Sequence, residues 1–228
     1  LAFGNNQKKA LFKACQGEKM SFLVVFDVDS TLIDQEAIEL LATHSGTRQQ
    51  VALITERAMK GEIDFSASLV ERVSLLAGLD ESVLNKVADE LSPTKGAAEL
   101  IEAIHAIGGY AAAVSGGFIQ LLEPLKKTLN LAFAKANTLE VVDGKLSGKV
   151  IGELVDSGVK AATLLALAKK LEIDVAQTIA IGDGANDLKM MKQAGLSIAF
   201  CAQPIVRESA DIVIDTRDLS QVIALLPS

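Results

Sequence analysis

The sequence predicts an α/β fold: a doubly wound parallel sheet that carries a small helical cap and a β-hairpin. Short continuous apolar runs of strand length recur along the chain. Amphipathic segments of helix length separate them. Strands alternating with helices give a parallel sheet covered on both faces. One stretch, residues 35–92, breaks this alternation with helical periodicity and almost no strand signal.

Residues 1–19 are expected to be an N-terminal extension or remnant, with a leader helix around Lys8–Ala14 as one reading. Residues 22–26 (Phe-Leu-Val-Val-Phe) form the first apolar run and suit a strand buried on both faces. In residues 35–92, Ile38, Leu41 and Ala42, then Leu69, Val73 and Leu76, fit helix faces. This segment is read as a cap inserted between two parts of a core, residues 20–34 and 93–228. A helix is expected over 94–107, after Pro93 and before the stop signal Gly108-Gly109. Further strands are expected at 110–114, 178–181, 197–200 and 212–214, and further helices at 159–171, 187–194 and 219–226. Residues 138–150 read as a hairpin, with Asp143-Gly144 between strand-like flanks. The sum is a Rossmann-like core.

The chain has 228 residues, half of them apolar, which is enough for one sizeable core and a smaller subdomain. Its net charge is −7 and it has no block of Lys or Arg, which argues against a nucleic-acid partner. No apolar run is long enough to span a bilayer, and Lys8, Lys9 and Lys13 interrupt any signal-peptide pattern, so no membrane partner is expected. Cys15 and Cys201 lack metal or redox spacing. They read as reduced packing residues in a cytoplasmic protein, monomeric or homodimeric.

In open α/β sheets, ligands bind beyond the carboxyl ends of the strands. Asp27-Val28-Asp29-Ser30-Thr31 follows the first strand, and Ser115-Gly116-Gly117 follows the second. Gly182-Asp183-Gly184-Ala185-Asn186-Asp187 follows the strand expected at 178–181. Lys160 joins this edge if its helix points its N-terminus there. Acids crowded in one crevice call for a cation, and an oxygen donor set with few histidines suits Mg²⁺ better than Zn²⁺. Asp27 and Asp183 can supply its carboxylates. A carboxylate beside Mg²⁺ can attack phosphorus. Asp29, two residues on in an extended segment, points the same way and can serve as acid and base. Lys160 and the Ser115 hydroxyl would offset charge on the phosphoryl oxygens.

These four segments resemble, in order and separation, the four motifs of the haloacid dehalogenase-like hydrolases. Within that superfamily the chain is similar to the branch that acts on O-phosphoserine. The likeness lies in Glu36, Ala58-Met59-Lys60-Gly61-Glu62-Ile63-Asp64-Phe65, Ser68-Leu69-Val70-Glu71-Arg72-Val73, Leu75-Leu76-Ala77-Gly78-Leu79 and the hairpin from Ala136 to Gly152. It covers about residues 22–226. The resemblance implies Mg²⁺-dependent hydrolysis of O-phospho-L-serine through a phosphoaspartate, the last step of serine biosynthesis. Asp27 would be the nucleophile and Asp29 the acid/base. Asp27, the Asp29 carbonyl and Asp183 would hold Mg²⁺, with Asp187 orienting its water. Ser115, Gly116, Lys160 and Asn186 would contact the phosphate. Glu36 would face the substrate ammonium and Arg72 its carboxylate, whose two oxygens suit the planar guanidinium. Met59 and Phe65 would close the pocket.

Other readings compete. Taken alone, Asp29 with Ser30 and Thr31 is equally a helix cap, Ser115 a turn residue, and Lys160 a surface charge. Gly182-Asp183-Gly184 lacks the third glycine of a dinucleotide site. A phosphotransferase, or a phosphatase for another small phosphomonoester, shares most of the motifs. A signalling receiver domain also phosphorylates an Asp at a strand end, but Asp29 and the cap pair Glu36 and Arg72 argue against it.

Overall fold

The computed structural model describes residues 21–59 and 62–227. The expectations for residues 1–19 and Cys15 lie outside these. A seven-stranded sheet runs in the order β4-β3-β2-β1-β5-β6-β7. Its strands are β1 (Leu23–Phe26), β2 (Tyr110–Phe118), β3 (Phe133–Val142), β4 (Lys145–Ile151), β5 (Thr178–Gly182), β6 (Leu196–Phe200) and β7 (Ile212–Ile214). All neighbours pair parallel except β3 with β4.

β1 lies at the centre, with Phe26 registered against Ala113 of β2 and Ile181 of β5. The chain winds outward from β1 through β2 and β3 on one side and through β5, β6 and β7 on the other. The strand order therefore reverses at β1, and the carboxyl ends of β1, β2 and β5 meet in one crevice.

Alternation along β1 feeds two cores. Val24 and Phe26 pack with Leu100, Ile101 and Ile104 of α5 (Ala97–Ala106) and Leu122 of α6 (Ile119–Thr128). Leu23 and Val25 pack with Leu164 and Leu167 of α7 (Ser157–Lys170) and Met190 of α8 (Leu188–Gln193). Val206 of α9 (Pro204–Ser209) joins the second face.

Between β1 and α5 the chain forms α1 (Ala37–Ser45), α2 (Arg48–Met59), α3 (Phe65–Ser74) and α4 (Ser82–Glu90). Ile38, Leu41, Leu69, Val73, Leu76 and Val87 close their own cluster and rest on Phe118, Leu139 and Leu146. The hairpin turn Asp143-Gly144 has positive φ at both residues, 50° and 73°, as the sequence signal requires.

Five elements differ from the sequence expectation. β3 begins at Phe133, and its first half extends the parallel sheet before its second half enters the hairpin. β2 continues past Val114, with an irregular register between Val114 and Phe118. α6, which contains Pro124, and α9, only one and a half turns long, are further helices that the sequence reading did not expect. Residues 219–225 form a 3₁₀ helix rather than an α-helix. No helix among the described residues is long and apolar enough to cross a membrane.

Candidate active site

Three strand-end segments and the start of one helix converge in the crevice. Asp27 follows β1 directly, and its amide donates to the Ile181 carbonyl at 2.9 Å. Its side chain is buried and accepts a hydrogen bond from Lys160 Nζ. The chain then turns through Asp29 (φ −61°, ψ 133°) and Ser30, which sits in the left-handed region at φ 57°. This turn swings the Asp29 carboxylate toward the cap. There it accepts from the Ala37 amide at the start of α1 (2.7 Å) and from Ser115 Oγ (3.1 Å).

Ser115 also accepts from the Gly117 amide at 2.7 Å, which folds the irregular end of β2 around its own hydroxyl. A Cβ on Gly116 would lie 2.7 Å from Cζ of Phe65, so the cap ring sits directly on this glycine. Phe65 is held there by its place at the start of α3, where Asp64 caps the helix through the Ala67 amide (3.0 Å).

Lys160 is fully removed from solvent in the first turn of α7. Asp156 caps that helix by accepting from the Val159 amide at 2.8 Å, which aims the helix start at the crevice. The Lys160 ammonium bonds to both Asp27 and Asp187, the latter at 2.7 Å. Asp187 also accepts from the Gly184 amide, closing the loop after β5. A Cβ on Gly182 would meet the Asp187 carboxylate at 2.5 Å, so only glycine fits at the end of β5. Asp183 is half-buried and accepts from Thr31 Oγ1 at 3.3 Å. The Asn186 side chain folds over Gly184 in the same loop.

Carboxylate oxygens of Asp27, Asp183 and Asp187 lie within 4.8 Å of one another. The resemblance implies an outer position for Asp187, orienting metal-bound water, and one of its carboxylate oxygens comes within this distance of the other two acids. The Asp29 carboxylate instead faces Ala37 and Ser115.

The charges do not balance among themselves. The Asp27 carboxyl is pushed well above the ordinary range by burial and next by Asp187, with Lys160 opposing. Burial, then Asp187, pushes Asp183 up to about 6. Burial raises Asp29 as well, against the hydrogen bonds from Ala37 and Ser115. For Lys160, burial favours the neutral amine, but Asp187 and Asp27 outweigh it and hold the group above the usual lysine range as an ammonium. One ammonium thus serves several acids. A set of oxygen donors with excess negative charge and no thiolate or imidazole fits a hard cation.

Beyond the acids, Glu36 accepts from Ser30 Oγ at 2.6 Å and is pushed up to about 7, first by lost hydration and then by Asp29. Part of its side chain is exposed, so water moderates that push. Arg72 donates from Nε to the Ser68 carbonyl one turn earlier on α3. Burial lowers its pKa, while the charges of Glu36 and Asp29 resist. The crevice therefore offers an anion and a cation above a cluster of acids. The expectation for Met59 concerns a side chain outside those described.

Sequence reasoning missed Asn137. This buried amide donates to the Gly116 carbonyl and accepts from the Val155 amide, both at 2.8 Å. It ties the end of β2 to the segment leading into α7. Thr31, whose hydroxyl reaches Asp183, was quoted in a motif without a role of its own.

A profile of the haloacid dehalogenase-like hydrolases matches residues 23–195. A phosphoserine phosphatase of Streptomyces coelicolor is 51% identical over 204 residues, 90% of this chain and 50% of that one. The chain thus spans half the length of that relative. One of Streptococcus thermophilus is 49% identical over 90% of this chain and 95% of its own length. Among solved structures, a phospho-aspartyl intermediate analogue of phosphoserine phosphatase superposes with a TM-score of 0.87 at 43% identity, covering 91% of this chain and 99% of that one.

Proposed function

The chain belongs to the haloacid dehalogenase-like hydrolase family, and from that premise we propose that it hydrolyses O-phospho-L-serine to serine and phosphate through a phosphoaspartate. The observation that carries this reading is the stacking of two charge sets in one crevice. Asp27 with Lys160 lies at the floor, and Glu36 and Arg72 lie on the cap side with Phe65 over Gly116. Phosphoserine has the same layout: a dianionic phosphate at one end, an ammonium and a carboxylate at the other. The relatives named above support the same substrate.

In the first half-reaction, a carboxylate oxygen of Asp27 bonds to phosphorus while the bond from phosphorus to the serine oxygen breaks. Asp29 gives its proton to that oxygen; burial, which raises its pKa, keeps a proton within reach. In the second half, Asp29 takes a proton from water, the water oxygen bonds to phosphorus, and the bond to Asp27 breaks. Phosphate leaves and Asp27 is restored. Lys160, Ser115, the Gly116 amide and Asn186 hold the phosphoryl oxygens throughout. Glu36 pairs with the ammonium and Arg72 with the carboxylate. An Arg72 left without a carboxylate would lose hydration for nothing, and this selects amino-acid substrates.

The cation in this reading is Mg²⁺, which Asp27, the Asp29 carbonyl and Asp183 would hold, with Asp187 orienting its water. When bound, Mg²⁺ neutralises charge on the acids and the phosphoryl oxygens. The gathering of the Asp27, Asp183 and Asp187 carboxylates in one crevice supports a hard cation. We place the enzyme at the last step of serine biosynthesis.

The test is phosphate release from L-phosphoserine with and without Mg²⁺, with homoserine added to trap transfer to another acceptor. Asp27→Asn should abolish release. Normal turnover by that variant would rule out the covalent route.

A further inference from the structure

We propose that Arg217, on the loop after β7, is a positioning residue that fixes Glu36 by clamping the crossing into the cap. Arg217 lies far along the chain from that crossing, yet its guanidinium makes three bonds there. Nε donates to Asp34 Oδ1 at 2.7 Å, and the two terminal nitrogens donate to the carbonyls of Ser30 and Ile33, each at 3.2 Å.

Those three acceptors belong to one strained turn. Ser30 holds a left-handed backbone at φ 57°, a conformation that a residue with a side chain adopts only under constraint. The Ser30 hydroxyl is the group that binds Glu36, at 2.6 Å. The bond from Arg217 to the Ser30 carbonyl therefore acts on the residue that aims Glu36.

The loop that carries Arg217 is itself fixed to the core. Asp218 pairs with Lys95 at 2.9 Å, and the Leu219 amide donates to the Lys95 carbonyl at 2.8 Å. The outgoing crossing joins the same knot: the Asp34 amide donates to the Ser92 carbonyl, the Thr94 amide to the Leu32 carbonyl, and Thr94 Oγ1 to Asp34. Both passages between core and cap thus meet at Asp34, whose carboxylate the guanidinium holds. A half-exposed ion pair alone is worth little. Here two of the three bonds go to backbone carbonyls, which only a planar fork can reach together with the carboxylate.

This inference rests on Glu36 facing a substrate ammonium, so its test has a substrate-independent arm. Arg217→Lys and Arg217→Met are compared with wild type for hydrogen exchange and for kinetics. In both variants, amides of residues 30–34 should exchange at least about tenfold faster, with those of β1 and β5 unchanged. The KM for L-phosphoserine should rise about tenfold, with kcat within about threefold, because loss of a charge-assisted contact costs of that order. Hydrolysis of p-nitrophenyl phosphate, which has no ammonium, should not change. Lys keeps the charge without the fork, so Arg217→Lys should resemble Arg217→Met.

Wild-type exchange and an unchanged KM in both variants would overturn the clamp. So would equal losses on both substrates, or full rescue by Lys. Faster exchange in a protein whose wild type has no preference for phosphoserine would keep the clamp and reject the substrate reading instead.

Discussion

The Lys160 ammonium lies 2.7 Å from Oδ1 of Asp187, and both side chains are wholly removed from solvent. The same ammonium bonds to Asp27. Such a knot is costly to assemble, because each ion gives up hydration, and more costly to break. Lys160→Met should therefore destabilise the protein by roughly 3–5 kcal/mol, since it leaves two buried carboxylates without their cation. Urea denaturation reads this directly. Lys160→Met with Asp187→Asn should recover part of the stability and none of the turnover. That split separates the structural role of the lysine from its role on phosphate.

Asp183 predicts a pH dependence of cation binding. Its folded value of about 6 stands above an ordinary carboxylate near 3.8. The sign follows from which form folding favours. The neutral form is favoured, so this contribution to stability is present in full below pH 3.8 and is lost as pH rises through about 6. A divalent cation must displace that proton, so Mg²⁺ affinity should climb as pH rises through about 6. Calorimetric titration in two buffers of different ionisation enthalpy should show proton release at pH 5.5. Asp183→Asn should abolish both the release and the binding.

The sequence carried the crevice because its residues follow apolar runs whose ends are easy to see. Asp27, Ser115 and Asp183 each sit within two residues of such a run. Asn137 and Arg217 carry no such mark. Each is a single polar residue whose partners are remote in sequence, 18 and 21 residues away for Asn137 and up to 187 for Arg217, so only the folded chain defines their roles. Asp187 is an intermediate case. It follows Asp183 by one turn, a spacing that can bring two acids together, but the motif alone does not distinguish a carboxylate inside the cluster from one behind it. The first half of β3 was hidden for another reason. Phe133, Ala134, Lys135 and Ala136 are all half-buried, so neither a continuous apolar run nor a clean alternation marks them.

Asn137 gives a prediction about the phosphate end. Asn137→Ala leaves the buried Val155 amide and the Gly116 carbonyl unpartnered, which should cost about 1–3 kcal/mol per buried group. Asn137→Asp keeps an acceptor for Val155 but cannot donate to Gly116 while ionised. Competitive inhibition by inorganic phosphate isolates that end of the site, because phosphate touches neither Glu36 nor Arg72. Its inhibition constant should rise about tenfold in both variants. Asn137→Asp should unfold at a higher urea concentration than Asn137→Ala. Equal phosphate inhibition in wild type and variants would show that Asn137 serves the fold alone.

Glu36 carries the prediction most specific to an amino-acid substrate. Burial and then Asp29 push its carboxyl up to about 7 in the free protein, an effect its partial exposure moderates, so part of the population holds a neutral acid there below neutral pH. A neutral acid cannot pair with an ammonium as a carboxylate does. The kcat/KM for L-phosphoserine should therefore rise with pH through about 7 along a one-proton limb. The same shift has a consequence for stability, with the sign set by the raised value. The contribution of Glu36 is complete below about 4.5 and is lost as pH rises through about 7, and its partial exposure makes the effect modest. Glu36→Gln should remove the limb, raise the KM for phosphoserine, and leave the pH profile for p-nitrophenyl phosphate as it was. A limb that persisted in Glu36→Gln would assign it to one of the acids at the floor, and the ammonium contact would then have to lie elsewhere.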